Sequence, residues 1–317
     1  MRSFIKSFFW LTCIYYIFDN YIAKLLSLYK LKIPTNSGTP HIGKSIESSL
    51  QYIEKVFSDY KKYSGVNCFT GKVAEIGPGD SCGVGLLFLL DGCESVDLVD
   101  RFYSYRDSRQ QAGIYQALIK RYPVLLSTLL NFDVNDEQSF RGLLRFYGES
   151  AAAECFFVQN DYYDYIVSRA VLEHIYNPYQ AIEKMVKALK NNGMLLHKVD
   201  LRDHGMFSDY FHELSYFNVS DTLYPHLTRD AGRPNRILIN NYREILNKFI
   251  PNHKILITHL AGVGDIYPHV PYNQIDNDQR NQSLDYVKSV RNSFSSKLRS
   301  ISDEDLSVTG IFIVAIK

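Results

Sequence analysis

The sequence predicts an α/β fold with a doubly wound sheet of mostly parallel strands. The first observation is that short β-branched runs alternate with helical patterns from Lys72 onward. Such alternation places helices on both faces of a parallel sheet. The second observation is the turn "GPG", residues 77–79, which directly follows the first run. Glycines at the carboxyl end of a strand are typical of doubly wound sheets. The predicted strands here are 72–77, 95–100, 163–170 and 194–200.

The later part of the chain continues this pattern after an interruption. Residues 206–240 are rich in aromatic side chains and show no strand alternation, so we interpret them as a cap inserted after the strand at 194–200. A helix is predicted at Tyr242–Phe249, followed by the strand "KILITHL". A basic helix near Ser283–Arg299 then precedes the final strand, "GIFIVAIK".

The first 33 residues predict a separate N-terminal helix. Its apolar run from Phe8 to Phe18 stops at Asp19, whereas a helix that spans a bilayer needs about 20 apolar residues. An apolar stripe with helical spacing nevertheless continues past Asp19. The stripe consists of Phe4, Phe8, Leu11, Tyr15, Phe18, Ile22 and Leu25. Two interpretations stay open: a helix packed on its own domain or on a second subunit, and a helix lying on a membrane surface.

Residues 33–42, "IPTNSGTPHI", predict a linker, and an amphipathic helix follows at Ile46–Tyr63. We therefore divide the chain into an N-terminal helix (1–33), a linker with a helix (34–70) and a main domain (71–317) that contains the cap.

Composition excludes some classes of function. The chain has 317 residues with 35 Lys and Arg against 34 Asp and Glu, and it lacks a long basic run, so we expect no nucleic-acid partner. Its five cysteines are scattered without a C-x-x-C pair, which indicates buried thiols in a reducing compartment. We therefore expect a cytoplasmic protein, with peripheral contact to the inner face of the membrane as an open alternative.

The glycine turn is the most informative motif. Gly77-x-Gly79 follows a strand, Glu75 precedes it by two positions, and the next glycine is Gly83. A dinucleotide fingerprint requires its third glycine one position earlier than Gly83. Asp100 closes the next strand, where a carboxylate can accept hydrogen bonds from both hydroxyls of a ribose. A nicotinamide cofactor would use the same acid, so Asp100 does not discriminate between cofactors.

Four motifs in order resemble class I S-adenosylmethionine-dependent methyltransferases. They are "VAEIGPGDSCGVG", the acid Asp100, "YDYIVSRAVLEHIYNP" and "LKNNGMLL". The resemblance covers roughly residues 70–317. It implies a Rossmann-like, seven-stranded sheet whose last strand is antiparallel, with "RFYGESAAAECFF" (145–157) as the third strand. It also implies S-adenosyl-L-methionine as cofactor, bound through Glu75, Gly77, Pro78, Gly79, Asp100, Arg101, Ala153, Glu154 and Ser168.

The stretch "HKVDLRDHG", residues 197–205, supplies the candidates for the acceptor side. Strand alternation separates His197 from Asp200, and the end of the stretch falls at the carboxyl edge of the sheet. We interpret His204 oriented by Asp203 as the general base, with His197 and, in the "LEH" turn, His174 as further catalytic candidates. A divalent metal held by Asp200, Asp203 and His204 stays an alternative. So does a turn stabilised by an Arg202–Asp203 ion pair.

The expected function is O-methylation of a saccharide or sugar-lipid hydroxyl by in-line methyl transfer. The combination "DLRDH", "PNR" and "NYREIL" resembles methyltransferases that accompany bacterial glycan and lipopolysaccharide assembly. Two alternatives remain: N- or O-methylation of a small non-sugar metabolite, and a non-catalytic methyltransferase-like subunit that binds a partner.

Overall fold

The computed structural model of the chain describes residues 6–28, 38–125, 133 and 135–317. They group into two compact units that alternate along the chain. Unit 1 comprises Met1–Leu31, Ala170–Pro178 and Lys198–Ile313. Unit 2 comprises Lys32–Arg169, Tyr179–His197 and Val314–Lys317.

The described residues form eight strands. They are β1 Gly71–Ile76, β2 Cys93–Asp100, β3 Leu143–Tyr147, β4 Tyr163–Arg169, β5 Leu189–Asp200, β6 His253–Leu260, β7 Gly264–Val270 and β8 Val308–Ile316. Their order in the sheet is β3-β2-β1-β4-β5-β8-β6-β7. The α/β prediction is therefore confirmed.

The described residues also form helices, which precede and separate these strands along the chain. They are α1 Phe9–Leu28, α2 Ile46–Ser64, α3 Gly83–Asp91, α4 Ser108–Arg121, α5 Ala153–Phe156, α6 Pro178–Ala188, α7 Tyr224–Thr228, α8 Ile239–Phe249, α9 Asn277–Val290 and α10 Asp303–Ser307. None of them is long and apolar enough to cross a membrane.

Unit 2 contains a parallel arrangement with β1 at its centre. β1 pairs in parallel with β2 on one side and with β4 on the other, and β2 pairs in parallel with β3. The register places Ile76 opposite Val99 and Ser168. Parallel neighbours end at the same edge, so the glycine turn, Asp100 and Ser168 meet at the carboxyl edge of this unit.

Helix α2 is fixed by local signals and by close packing. The hydroxyl of Ser45 caps its first turn by accepting a hydrogen bond from the N–H of Ser48, and Gly65 ends it in a left-handed conformation with φ of 76°. Ile53 of its buried face lies against Gly83 of α3, where an added Cβ would come within 2.4 Å of the Ile53 side chain. Glycine at this position therefore lets the two helices approach without displacing the Ile53 side chain.

Unit 1 has its own apolar core, which joins α1 to the segment 206–238. Cys13 and Tyr16 of α1 are buried with Phe207 and Leu227 among others. Polar contacts fix the helix in the same place, because the side-chain oxygen of Asn20 accepts the N–H groups of Asp230 (2.7 Å) and Ala231 (2.9 Å). One face of α1 thus packs on its own unit, as one of the two interpretations held.

The opposite face of α1 is exposed and apolar. Its exposed side chains include Trp10, Leu11, Ile14, Phe18, Tyr21 and Ile22, and Phe8 just before the helix is exposed as well. A patch of large apolar side chains on one side of a helix is unusual for a surface that meets only water.

The structure corrects the predicted strand count and one strand position. β7 is an eighth strand, antiparallel to β6, at the end of the sheet order. Its sequence, "GDIYPHV", contains Pro268, which argues against a central strand but is tolerated at an edge. β3 begins at Leu143 and ends at Tyr147, so the predicted third strand "RFYGESAAAECFF" starts too late and runs into α5.

The predicted linker is only partly described. Residues 33–37 lie outside the described part of the chain. From Gly38 to His41 the chain packs on the glycine turn, because the Gly38 carbonyl accepts the N–H of Asp80 (2.9 Å) and the N–H of His41 donates to the Asp80 carboxylate (3.3 Å). This end of the linker therefore belongs to unit 2.

Candidate functional site

The glycine turn of unit 2 has the backbone that the sequence predicts. Gly77 and Gly79 both lie at positive φ (68° and 67°), a region that other residues rarely adopt. The Gly77 N–H donates to the carbonyl of Val99 (2.8 Å), which ties the turn to the end of β2. An added Cβ at Gly79 would come within 2.4 Å of the Gly38 carbonyl oxygen, so both its conformation and its surroundings require glycine.

Glu75 is a buried carboxylate below this turn. Its Oε2 atom has no hydrogen-bond partner among the described residues. Burial raises the pKa of Glu75 to about 8, and the nearby Arg145 offsets only part of that effect. A buried, unpaired carboxylate oxygen is costly unless a cationic ligand satisfies it.

Asp100 lies at the end of β2 and is positioned by backbone groups. Its Oδ1 atom accepts the N–H of Phe102 (2.9 Å), and the nearby backbone of Gly79 also lowers the pKa of its carboxyl group. Burial raises the pKa of Asp100 to about 6, against the effect of these hydrogen bonds. The carboxylate is thus held beside the glycine turn, where the sequence predicts a ribose contact.

Among the other predicted cofactor residues of unit 2, Arg101 and Ser168 already contact other side chains. Arg101 forms an ion pair with Glu154 (3.0 Å) at the start of α5. Ala153 is buried, and Pro78 lies between the two glycines. The hydroxyl of Ser168 makes a 2.7 Å hydrogen bond with Nδ1 of His197. Their roles as cofactor contacts stay predictions.

His197 is fully buried in unit 2, and burial lowers its pKa to about 3. Its ring is therefore neutral, and its contact with Ser168 fixes one nitrogen. A base must exchange its proton with substrate and solvent, and this environment does not favour that role.

The carboxylate of Asp203 in unit 1 accepts hydrogen bonds from its own turn. It accepts the N–H groups of Gly205 (3.1 Å), Phe207 (2.7 Å) and Ser208 (3.0 Å), together with the Ser208 hydroxyl. These bonds leave the carboxylate little capacity for the predicted pairing with His204. The predicted Arg202–Asp203 ion pair is also replaced, because Arg202 binds Asp200 through two contacts of 2.8 and 2.7 Å.

His204 instead lies among residues that the sequence did not pair with it. Its Nε2 atom is 3.5 Å from the Asp200 carboxylate and 3.8 Å from Oε1 of Glu173. Its backbone has a positive φ of 50°, and its ring packs edge-on against His174 at a centroid distance of 4.9 Å. Burial alone would raise the pKa of Asp200, but hydrogen bonds from Arg202 and His204 outweigh it and hold that pKa well below its usual range.

Glu173, His174 and His204 form the one group of three or more clustered ligand-type side chains found in the described residues. One ligand atom from each lies within 4.8 Å of those of the other two. Glu173 is 1% exposed, and burial, with repulsion from Asp200, raises its pKa well above the usual value. Burial and the neighbouring His204 lower the pKa of His174 to about 4. We call these three residues the imidazole–carboxylate cluster.

Two residues important for these sites were not predicted. Arg145 of β3 is buried, donates to the Gly79 carbonyl (3.0 Å) and lowers the pKa values of Glu75 and Asp100. An arginine inside the apolar run "LLRFY" was its only signal. Asn235 holds the "LEH" turn, and nothing in its local sequence indicates this long-range contact.

The comparisons with known proteins give a domain for part of the chain. Residues 81–232, slightly under half of the chain, match a family model described as "Methyltransferase domain". This part of the chain is therefore similar to a methyltransferase domain, in agreement with the resemblance that the sequence motifs indicate. No curated protein sequence matches the chain.

Several solved structures resemble this chain distantly. Phosphoethanolamine N-methyltransferase 2 from Haemonchus contortus, in complex with S-adenosyl-L-methionine, is 12% identical with a TM-score of 0.45, and the match covers 90% of this chain and 60% of that chain. A putative sarcosine dimethylglycine methyltransferase from Galdieria sulphuraria is 13% identical with a TM-score of 0.43, and the match covers 95% and 98%. YcgJ from Bacillus subtilis is 12% identical with a TM-score of 0.42, covering 84% and 98%. TM-scores below 0.5 do not identify the acceptor of this chain.

Proposed function

We propose that this protein is an S-adenosylmethionine-dependent methyltransferase that methylates a hydroxyl group of a saccharide or sugar-lipid. The observation that carries the proposal is the carboxyl edge of unit 2, where the carboxylates of Glu75 and Asp100 lie beside the glycine turn. The match of residues 81–232 to a methyltransferase domain supports it.

The residues of this edge fit the cofactor chemically. S-adenosyl-L-methionine supplies a methyl group on a positively charged sulfur, and it also carries an ammonium group and a ribose. Oε2 of Glu75, which has no partner among the described residues, is suited to accept a hydrogen bond from the ammonium group. Asp100 is suited to accept the two ribose hydroxyls. The positive φ of Gly77 and Gly79 brings the backbone close to a ligand.

Proton removal from the acceptor hydroxyl is assigned to unit 1. As the oxygen–carbon bond forms, the carbon–sulfur bond breaks with its electron pair going to sulfur, and the hydroxyl proton must leave. His204 is the exposed member of the imidazole–carboxylate cluster, with Asp200 beside its ring, so it is suited to take up this proton. His174 faces the same ring.

A polar acceptor is favoured by the surroundings of this cluster within unit 1. Arg202, which is bound to Asp200, also lines an open cavity of about 450 Å³ together with Ser208, Glu213 and His259. Charged and hydroxyl side chains of this kind suit an acceptor with several hydroxyls. A neutral amine acceptor would need no base, and a flat pH–rate profile through neutrality would favour that alternative.

The exposed face of α1 adds a second element to the proposal, a peripheral contact with an anionic membrane surface. Residues 1–32 contain five basic residues and one acid, Asp19, which is paired with Arg233. A segment with net positive charge in its sequence and with exposed Trp10 and Tyr21 suits the interface of an anionic bilayer. Such a location is consistent with a sugar-lipid acceptor. A homodimer through the same face is the competing outcome.

Calorimetric titration with S-adenosyl-L-methionine tests the cofactor assignment. We expect saturable binding, and Asp100→Ala should weaken it by about tenfold or more, because two charge-assisted hydrogen bonds are lost. Glu94→Gln at the other, exposed end of β2 is the matched control and should bind like the unchanged protein. No binding at millimolar cofactor, or equal binding by Asp100→Ala, contradicts the proposal.

A further inference from the structure

We infer that Glu173, His174 and His204 bind one divalent transition-metal ion. The three side chains converge from two separate segments of unit 1, the "LEH" turn and the turn after β5. One potential ligand atom from each lies within 4.8 Å of the other two. Binding itself does not depend on the proposed function, whereas the catalytic consequence given below rests on it.

The ring of His174 has a nitrogen atom that is suited to bind a metal ion. Its Nδ1 atom is buried and has no hydrogen-bond partner among the described residues. Buried polar atoms normally have a partner, and a metal ion at this nitrogen would supply one.

The two carboxylate oxygens of Glu173 differ in their hydrogen bonding. Its Oε1 atom accepts the backbone N–H of Asp200 (3.3 Å), whereas Oε2 is buried without a partner in the part of the chain that the structure describes. A carboxylate that is 1% exposed normally has its oxygens satisfied, because an unpaired buried charge is costly. The oxygen nearer to His204 is Oε1, at 3.8 Å from Nε2, and a cation held by this carboxylate would offset the cost of its burial.

His204 completes the set from the exposed side. Its ring lies 4.9 Å from that of His174, and its Nε2 atom lies near both Glu173 and Asp200. The positive φ of His204 places this ring there at some cost in backbone strain, and such strain concentrates at functional positions. Asp200 provides a second carboxylate close to the cluster.

The ligand chemistry selects the class of metal. Two imidazoles and one carboxylate suit Zn²⁺, Mn²⁺ or Fe²⁺, and they suit Mg²⁺ and Ca²⁺ poorly because those ions prefer oxygen ligands. The metal candidates expected from the sequence, Asp200 and Asp203 with His204, formed an oxygen-rich set. The structure replaces it, because Asp203 is occupied by the turn at 205–208.

A bound ion would change how the acceptor loses its proton. Three protein ligands leave at least one coordination position open, and a hydroxyl placed there would have a lowered pKa. In the ion-loaded protein His204 is then a ligand, and the lowered hydroxyl pKa replaces uptake of the proton by its free ring.

Calorimetric titration of the metal-free full chain with Zn²⁺ tests the inference. We expect one ion per chain, with binding weakened by about 10- to 100-fold in Glu173→Gln and in His174→Ala. Mg²⁺ at the same concentration should not compete. Co²⁺ should give visible absorption bands that both substitutions remove. The matched controls are Glu244→Gln and His226→Ala, exposed residues of the same unit, which should bind like the unchanged protein.

Folding of each variant is checked by circular dichroism, and His204→Ala, whose ring is exposed, serves if the buried substitutions fail to fold. Zn²⁺ binding that is absent, or that survives all three substitutions unchanged, overturns the inference. Loss of cofactor binding alone would contradict the proposed function and leave the metal site standing. Full methyl transfer by a chain that binds no Zn²⁺ would contradict the inferred metal site and leave the proposed function standing.

Discussion

Glu75 shows how a single residue trades stability against binding. Its folded pKa of about 8 lies above the ordinary value of 4.5, so the ionised form is disfavoured in the folded chain. The cost is absent below pH 4.5, grows as the pH rises toward 8 and is full above that value. At full size it is on the order of 5 kcal/mol.

Glu75→Gln should therefore stabilise the cofactor-free protein above pH 8 and leave its stability nearly unchanged at pH 4.5, because the neutral amide cannot ionise. The same change should weaken S-adenosyl-L-methionine by about tenfold or more, since the partner of a cationic group is lost. Thermal unfolding at the two pH values and calorimetry measure both effects. Glu94→Gln should change neither, and a destabilised Glu75→Gln protein at pH 9 would speak against an unpaired carboxylate.

At the scale of elements, the "LEH" turn depends on one side chain from the segment between α7 and α8. The backbone N–H of Asn235 donates to the carbonyl of Glu173 (2.6 Å), and its Nδ2 atom donates to those of Leu172 (2.9 Å) and Ile175 (3.0 Å). Its Oδ1 atom accepts the N–H of Ile237 (3.0 Å). Asn235 thus fixes the turn that positions Glu173 and His174.

Asn235→Ala should cost about 2 kcal/mol in the free energy of unfolding, because it leaves two part-buried carbonyls without their partner. It should also reduce Zn²⁺ binding while leaving S-adenosyl-L-methionine binding unchanged, since the residues proposed to bind the cofactor lie in unit 2. Urea denaturation and the two titrations measure this separation. The control is Asn252→Ala at an exposed position of the same unit. An equal loss of both ligands would show that the substitution disrupts the whole protein.

At the scale of the whole molecule, the proposed contact with a membrane surface depends on α1. Its inner face is fixed to unit 1 through Cys13, Tyr16 and Asn20, so its apolar outer face stays exposed. Ile14→Ser together with Phe18→Ser should abolish sedimentation with vesicles of phosphatidylglycerol and phosphatidylcholine, because the apolar area that enters the interface is lost. Cofactor binding should persist.

Vesicles of phosphatidylcholine alone separate the electrostatic contribution, since they lack the anionic headgroups that attract basic residues. Raised salt should weaken binding to the anionic vesicles for the same reason. Sedimentation velocity gives the competing outcome. The competing outcome has three parts: the unsubstituted protein binds neither kind of vesicle, it forms a dimer, and the double substitution dissociates that dimer. This result would show that the apolar face of α1 binds a second copy of the chain.

The sequence by itself determined the α/β class, the positions of most strands, the glycine turn and Asp100, because these depend on local spacing. Alternation between strand and helix needs only neighbouring residues, and a turn between two glycines is a local property. The pairing of His204 with Asp203, by contrast, was inferred from adjacency in the sequence.

Only the tertiary structure decided which side chains meet. Asp203 turns back to bind its own loop, and His204 instead meets Glu173 and His174 from about 30 residues earlier in the chain. Arg145, Asn235 and the edge strand β7 were missed for the same reason. Contacts between distant segments depend on packing and burial, which no local spacing records, and those contacts define the imidazole–carboxylate cluster.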